Sequence, residues 1–598
     1  MFAWTERELN AEQAAAVCLP GSVFLVACPG SGKTRTLTYK IAYELSRLES
    51  DRKFVIAITY TNRAADEIVT RIEELGVDTA RLWIGTIHAF CLEWILKPYG
   101  IYEARLANGF RVIDLHEKET LLEQLCAPYV AQRVSHFDCE YYVTSEGVKL
   151  GCPNVGKHNA IKLILKEYFK AIRKNRQIDF ELILWFANRL IVAYPSISGL
   201  LSKLFSIVLV DEYQDTKEIQ YKIIGSILRT GAGHTRLFMV GDPNQAIYGS
   251  LGGYPIPLDE LRLLTGIPID NLELSRNYRS SQRIIDYFGN FNVYGTQIEA
   301  SGEERLYQSL VTYNRNLTKS DLVTEIARLI RHNIQTLGFS PREICVLAPQ
   351  WNHLAAMTRR LVTEVPEYQF DGPGMVPFAR DIENFWYKLA RLALTEPSPQ
   401  MYIRRLRWAG EVLAALSEAG VVKRDLDRKG FLKHCNAIAI EEVDGLSYLQ
   451  VFFDSLFFRL GINYHIYAQL EEHHAAFFTS SLMRIERLER EGVDGIRDVA
   501  FFRKVFQNRS GITVSTIHGV KGAEFDVVIA YALLEGMIPH FNDPNGALSA
   551  RKLVYVASSR ARKNLHLFSE TGRRRGGGFG EYTPTQVLAD CAFDYDII

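Results

Sequence analysis

Short unbroken apolar runs recur along the chain, and each stops at a polar or glycine-rich break. VFLV (23–26), IVLV (207–210) and LFMV (237–240) are followed by ICVLA (344–348), ITVST (512–516), DVVIAYA (526–532) and LHLF (565–568). Hydrophobicity without alternation marks strands buried on both faces, as in a parallel sheet covered by helices. Elsewhere the pattern is helical, in TLTYKIAYELSRL (36–48), LLEQLCAPYVAQRV (121–134) and AIKLILKEYFKAIRK (160–174). SSLMRIERLEREG (480–492) puts Leu482, Ile485 and Leu488 on one helical face, with Gly492 past the C-terminus. VFFDSLFFRL (451–460) is aromatic at helical spacing and reads as core. EEHHAAFF (471–478) reads as a solvated face, because adjacent histidines on a helix diverge. The fold class predicted is α/β with parallel sheets.

Two strand tips carry the candidate chemistry. In SVFLVACPGSGKT (22–34) a strand enters a small-residue loop and then a helix, the arrangement of a P-loop. Backbone N–H groups and the helix N-terminus would hold phosphates, with Gly30, Ser31 and Gly32 in the loop. Lys33 would reach the β/γ oxygens, and Thr34 would ligate Mg²⁺. The first glycine of the usual pattern is Ala27 here. The second tip is IVLVDEYQDT (207–216), where Asp211 and Glu212 point to opposite sides of an extended backbone. Asp211 would face the metal, and Glu212 would orient and deprotonate the attacking water. An ordinary helix N-cap is the competing reading of the pair, and the P-loop weighs against it.

Composition narrows the class without naming the activity. A chain of 598 residues exceeds one hydrophobic core, so several domains are expected. No apolar run approaches the roughly 18 residues that span a bilayer, and MFAWTERELN lacks the apolar stretch of a secretory signal. The nine cysteines are dispersed, without a CxxC pair or zinc spacing, as suits reduced thiols in a cytoplasmic protein. Formal net charge is zero, so a nucleic-acid site would be a local groove rather than a general positive field.

Further segments identify the kind of ATPase. They are LNAEQAAAV (9–17), AITYTNRAADEI (57–68), IGTIHAFC (84–91), VGDPNQAIYG (240–249) and LSRNYRSS (274–281). ITVSTIHGVKGAEFDVV (512–528), EGMIPH (535–540) and LVYVASSRARKNL (553–565) follow. In this order, and with DEYQDT, they resemble the superfamily 1 DNA helicases of the UvrD/Rep/PcrA type over nearly the whole chain. The resemblance implies two RecA-like P-loop motor domains, each with a helical insertion. The first motor domain would comprise 1–90 and 176–272 around an insertion at 91–175. The second would comprise 273–376 and 502–598 around an insertion at 377–501.

The resemblance also assigns roles. Gln13 would read the adenine edge, with Arg35 and Tyr278 stacked on its faces and Glu524 on the ribose side. Gln245 would sense the γ-phosphate or the water, and Arg279 and Arg560 would act as arginine fingers from the second motor domain. Tyr60 would stack on a base in place of a phenylalanine, and Tyr248 on another. Thr61, Asn62, Thr86, His88, Thr516, His518 and Lys521 would meet the DNA backbone, although threonines and histidines after strands also cap helices. Gln214 and Asp215 would transmit the state of the nucleotide site to the DNA side, with plain capping the alternative for Asp215.

Three departures stand out. After IYG the family usually has an aromatic and an arginine; here Ser250 and Leu251 precede Gly252 and Gly253, so one stacking ring is missing. Tyr254 is the next ring along, but it would need a shifted loop. Motif VI has Ser559 where threonine is common, and Ala523 replaces a larger residue. TGRRRGGGFGEYTP (571–584) lies where related enzymes carry a strand-splitting hairpin. Arg573 to Arg575 would meet phosphates and Phe579 or Tyr582 a base pair, unless the stretch is a glycine-rich loop.

The expected function is an ATP- and Mg²⁺-dependent helicase or translocase moving 3′ to 5′ on single-stranded DNA. Its substrates would include 3′-tailed or forked duplexes, with no membrane partner. It would serve DNA repair, replication restart or anti-phage defence, the last beside a nuclease of the OLD class as in Gabija systems. The alternative is an ATP-switched DNA-binding regulatory subunit of a nuclease, without processive unwinding.

Overall fold

The computed structural model describes residues 2–598 apart from 49, 114, 373–375, 379–383, 424, 491–494, 507–510, 542, 544 and 576–579. The apolar runs form two six-stranded sheets, and every strand pairing within them is parallel. The first contains β1 (Ser22–Ala27), β2 (Phe54–Thr59), β3 (Leu82–Thr86), β4 (Phe205–Asp211), β5 (Arg236–Gly241) and β6 (Ile269–Leu274). Their order is β6-β1-β5-β4-β2-β3. The second contains β7 (Val311–Asn314), β8 (Ile344–Ala348), β9 (Phe370–Asp371), β10 (Ile512–Thr516), β11 (Phe525–Ala530) and β12 (Ala561–Phe568), ordered β7-β12-β11-β8-β10-β9. Every residue of β4 is buried, as its unbroken hydrophobicity requires. Parallel strands bring their C-terminal ends to one edge, so the loops after β1, β2, β3, β4 and β5 converge there.

Between β3 and β4 the chain is mainly helical, but Tyr141–Thr144 and Gly147–Leu150 form an antiparallel hairpin. The insertion expected at 91–175 is therefore not wholly helical. One core runs without interruption from Ile56 and Val208 of the first sheet to Leu122 and Tyr168 of this segment. The segment around Phe385–Lys504 has a core of its own, rich in aromatic rings. There Phe452, Phe453, Leu456, Phe457 and Leu460 are buried as expected, but Val451 is 42% and Phe458 88% exposed. Ile485 and Leu488 are buried too, but Leu482 is 40% exposed, and Gly492 lies outside the described residues. His473 and His474 do not form a solvated face. Phe385 N donates to Nδ1 of His473, and His474 packs edge-on against Trp386. Among the described residues no single helix is long and apolar enough to cross a membrane.

Candidate nucleotide site and nucleic-acid interface

β1 ends at Ala27, and the chain turns through Gly30 and Gly32, with φ of 70° and 80°, into the helix Lys33–Ser46. Ala27 still belongs to the extended strand, which is why a methyl replaces glycine there without strain. No side chain caps the helix at Gly32, so its first N–H groups remain available to an anion. Ser31 Oγ donates to Cys28 O at 2.7 Å and fixes the loop, and Lys33 Nζ lies 3.3 Å from both Ala27 O and Cys28 O. Gln13 closes one side, donating from Nε2 to Ser31 O at 2.8 Å. Tyr278 closes another: its N–H donates to Gly30 O at 2.9 Å, and its hydroxyl accepts from Asn10 Nδ2. Asn277 Nδ2 donates to Pro29 O at 2.7 Å. Arg35 reaches Glu8 O at 3.5 Å.

At the tip of β4, Asp211 is buried and its Oδ1 accepts the Glu212 N–H at 3.0 Å. Burial, then the neighbouring Glu212, push its carboxyl up to about 7 against the pull of Lys33. Burial also opposes the charge of Glu212, yet Lys521, Lys33 and the Gln214 amide together hold it below the ordinary range. Glu212 sits at φ 51°, a conformation a non-glycine residue keeps only when its neighbours hold it. Gln214 is one such neighbour, donating from Nε2 to Glu212 while its Oε1 accepts the Asp242 N–H at 3.0 Å. Asp242 Oδ2 accepts Gln245 Nε2 at 2.8 Å. Gln245 in turn accepts Arg560 Nη2 on its Oε1 at 2.9 Å, and Lys521 Nζ on its backbone carbonyl at 2.8 Å. A continuous buried polar chain thus joins Glu212 on the first sheet to Arg560 and Lys521 on the second.

The donor set fits Mg²⁺. Thr34 and Asp211 offer hard oxygen ligands at the phosphate loop, and among the described residues no cluster of three His, Cys, Asp or Glu side chains could hold a metal alone. Mg²⁺ is commonly held by one or two protein oxygens together with phosphate and water. When bound it would neutralise charge on the phosphate oxygens.

Several expected ligand contacts are directed elsewhere. Arg279 lies over Gly30, where a Cβ would meet the Arg279 Cβ at 2.6 Å, but its Nε pairs with Glu524 at 2.6 Å. Glu524, expected at the ribose, is bridged by Arg279 and Arg562. Lys521, expected on the DNA backbone, is buried in an ion pair with Asp215. Asp215 caps no helix among the described residues, and burial raises its carboxyl to about 7 despite the lysine.

On the side expected to face DNA, Tyr60 and Tyr248 stack on each other, centroids 5.1 Å apart and planes 26° apart. The Lys521 ammonium lies 5.2 Å from the Tyr248 ring centre, and the His518 ring is 5.5 Å from it. Thr61 and Thr86 cap the helices that follow β2 and β3, and Thr516 Oγ1 accepts the Gly519 N–H at 3.0 Å. These bonds use acceptor capacity and leave each hydroxyl hydrogen for another partner. Asn62 opens the helix capped by Thr61. His88 Nε2 is buried without a partner among the described residues, and burial, then Lys217, lower the imidazole to about 4. Beneath the stacked tyrosines lies a cavity of roughly 430 Å³, bordered by Thr86, His88 and Ser250. Tyr254 does not border it, since its hydroxyl is bound to Glu260.

Arg575 N donates to Gly580 O and Tyr582 N to Arg573 O, both at 2.8 Å, so 573–575 and 580–582 pair as the two arms of a stem. Phe579 lies outside the described residues. Arg573 is buried against Glu570 and cannot meet a phosphate from there, whereas Arg574 is exposed. Asp242, Asn277 and Tyr142 were not singled out from the sequence. Asp242 follows LFMVG as Asp211 follows IVLV, so the same strand-tip signal would have found it.

Comparison with known proteins agrees with this geometry. Residues 9–258 match the family model described as the UvrD/REP helicase N-terminal domain, and 502–571 match the UvrD-like helicase C-terminal domain, together more than half the chain. The ATP-dependent DNA helicase UvrD1 of Mycobacterium leprae is 24% identical, covering 94% of this chain and 82% of its own. The ATP-dependent DNA helicase PcrA of Staphylococcus epidermidis is 21% identical over 98% and 87% respectively. The probable DNA helicase II homolog of Mycoplasma pneumoniae is 24% identical over 94% and 84%.

Proposed function

The chain belongs to the UvrD/Rep helicase family, and from that premise we propose that it hydrolyses ATP with Mg²⁺ to move 3′ to 5′ along single-stranded DNA. The observation that carries the reading is the buried chain Glu212–Gln214–Asp242–Gln245–Arg560, with Lys521 joined at Gln245. Gln13 and Tyr278 hold the base side of the nucleotide, and the P-loop amides and Lys33 hold its phosphates. Glu212 takes the proton of the attacking water, and Arg560 meets the charge that spreads over the transferred group. Because Arg560 comes from the second sheet, the stabilising contact forms only when the two sheets close. Gln245 reports that closure to Lys521, beside the ring of Tyr248 that would carry a base.

Steady-state ATP hydrolysis with and without single-stranded DNA, beside Glu212→Gln, tests this. DNA stimulation that disappears in the variant is expected; its absence in the parent chain would remove the motor. The loss of the stacking position at Ser250 and Leu251 favours a second reading, an ATP-switched DNA-binding subunit of a nuclease complex. Unwinding of a 3′-tailed duplex by the chain alone would count against that. A role in repair, replication restart or defence beside a nuclease belongs to the same proposal, and recovery of the chain from cells with or without a nuclease would divide these.

A further inference from the structure

The missing stacking ring leaves a gap in the DNA path, and a residue remote in sequence stands next to it. Tyr142 is the second residue of the hairpin strand Tyr141–Thr144. The Tyr141 hydroxyl donates to Asp179 at 2.6 Å, and Tyr141 and Tyr142 both border the cavity beneath Tyr60 and Tyr248, so Tyr142 offers the ring that is not already bound. Its own hydroxyl has no hydrogen-bond partner among the described residues, and it is not sealed from solvent.

The loop that lost the ring is shaped around Tyr142. Gly252 has φ 90°, and a Cβ there would lie 3.2 Å from Tyr142 Cδ2, tighter than ordinary packing. The loop cannot drift from this position: Gly253 bridges Lys217, and Tyr254 N donates to Thr216 O at 3.0 Å. The cavity wall also selects its occupant. Among the described residues its one lining cation, Lys217, is paired with Glu181, and its acid Asp215 is paired with Lys521. A phosphate would find no free cation on this wall, whereas a neutral planar ring would face aromatic walls and His88, whose Nε2 has no partner among the described residues. The volume of roughly 430 Å³ is that of a small-ligand pocket.

We propose that Tyr142 supplies the base platform that Ser250 and Leu251 lack, so that this cavity takes one unpaired nucleobase of the bound strand. The inference rests on the single-stranded DNA reading above and adds a contact from the first insertion to it. Since the platform comes from a different element than the motif loop, base occupancy would tie the insertion to the motor sheet at each step.

The experiment compares binding of the full chain to oligothymidylate and to an abasic strand of equal length, by fluorescence anisotropy. Tyr142→Ala should weaken binding to oligothymidylate by about ten-fold, the loss expected for one stacked base, and leave the abasic strand nearly unaffected. Tyr142→Phe and Tyr142→Trp should retain the difference, and Ser250→Trp should restore it in the Tyr142→Ala background. Equal loss on both strands would make Tyr142 structural and overturn the proposal, as would no loss on either. If the parent chain bound neither strand, the helicase reading itself would fall. If it preferred oligothymidylate and Tyr142→Ala kept that preference, only the present inference would.

Discussion

Arg560 is fully buried, yet its guanidinium is not spent on a carboxylate; it contacts Gln245 and the carbonyls of Val556 and Ala523. Burial, then the nearby Arg279, oppose its charge, so an incoming anion would relieve the site. Arg560→Ala should lower DNA-stimulated ATP turnover by about 10³–10⁵, the range for an arginine finger, while nucleotide binding persists. Arg560→Lys should not rescue it, because one ammonium cannot replace the fork that spans Gln245 and the phosphate. Turnover beside nucleotide titration would check both. At this scale the sequence was most legible where chemistry sits at the tip of an apolar run, as at Lys33, Asp211 and Glu212. At Lys521 and Glu524 the motif positions say nothing about the ion pairs to Asp215 and Arg562, more than 300 and nearly 40 residues away respectively. Tyr142 lay in no motif at all.

Among elements, the strands were legible because unbroken hydrophobicity has one stable outcome, a strand buried on both faces. The hairpin at 141–150 was not, because YYVTSEGVKL alternates only briefly and its buried face depends on Asp179 and Phe169. The end of β5 shows how closely elements are fitted. A Cβ on Gly241 would lie 2.2 Å from Gln214 Oε1 and 2.7 Å from Tyr213 Cδ1. Gly241→Ala should therefore displace Gln214, release Glu212 from its strained backbone and cut DNA-stimulated turnover about ten-fold or more, with the P-loop still competent to bind ATP. Equal stimulation in parent and variant would show that the Gln214 bridge is dispensable.

At the scale of the molecule, ion pairs hold the aromatic-rich segment around Phe385–Lys504 against the first half of the chain. Arg407 lies 3.3 Å from Asp66 and 3.7 Å from Glu73 on the helix that Thr61 caps, and Arg111 reaches Glu472 at 3.1 Å. Partly exposed pairs of this kind are individually weak and salt-sensitive. Arg407→Glu would gather three acids, so this contact should open. A fluorophore pair spanning Asn62–Glu74 and Tyr402–Glu418 should report a longer distance in the variant, and the parent should approach it at high salt. Acid acts on the whole molecule too. Burial lowers His88, His353 and His473 to about 4 from an ordinary 6.5. A histidine with a depressed folded value stabilises fully above 6.5, and that contribution is lost as pH falls toward 4. Asp211 and Asp215, raised to about 7, oppose this over the same window, so the check is made residue by residue: the ring NMR signals of these histidines should titrate near 4, and midpoints near 6.5 would contradict the assignment.

The chain passes from the first sheet to the second once, just after β6, and there it is tied to the phosphate loop through Asn277 and Tyr278. The fulcrum of any relative rotation therefore lies at the nucleotide rather than between the nucleotide and the DNA. A small displacement at the phosphates is then geared up at His518 and Lys521, which meet Tyr248 from the second half of the chain. Gearing works in reverse as well: tension on the strand bears on the phosphate loop with the full leverage of that distance, so a load opposing motion would slow the chemistry itself.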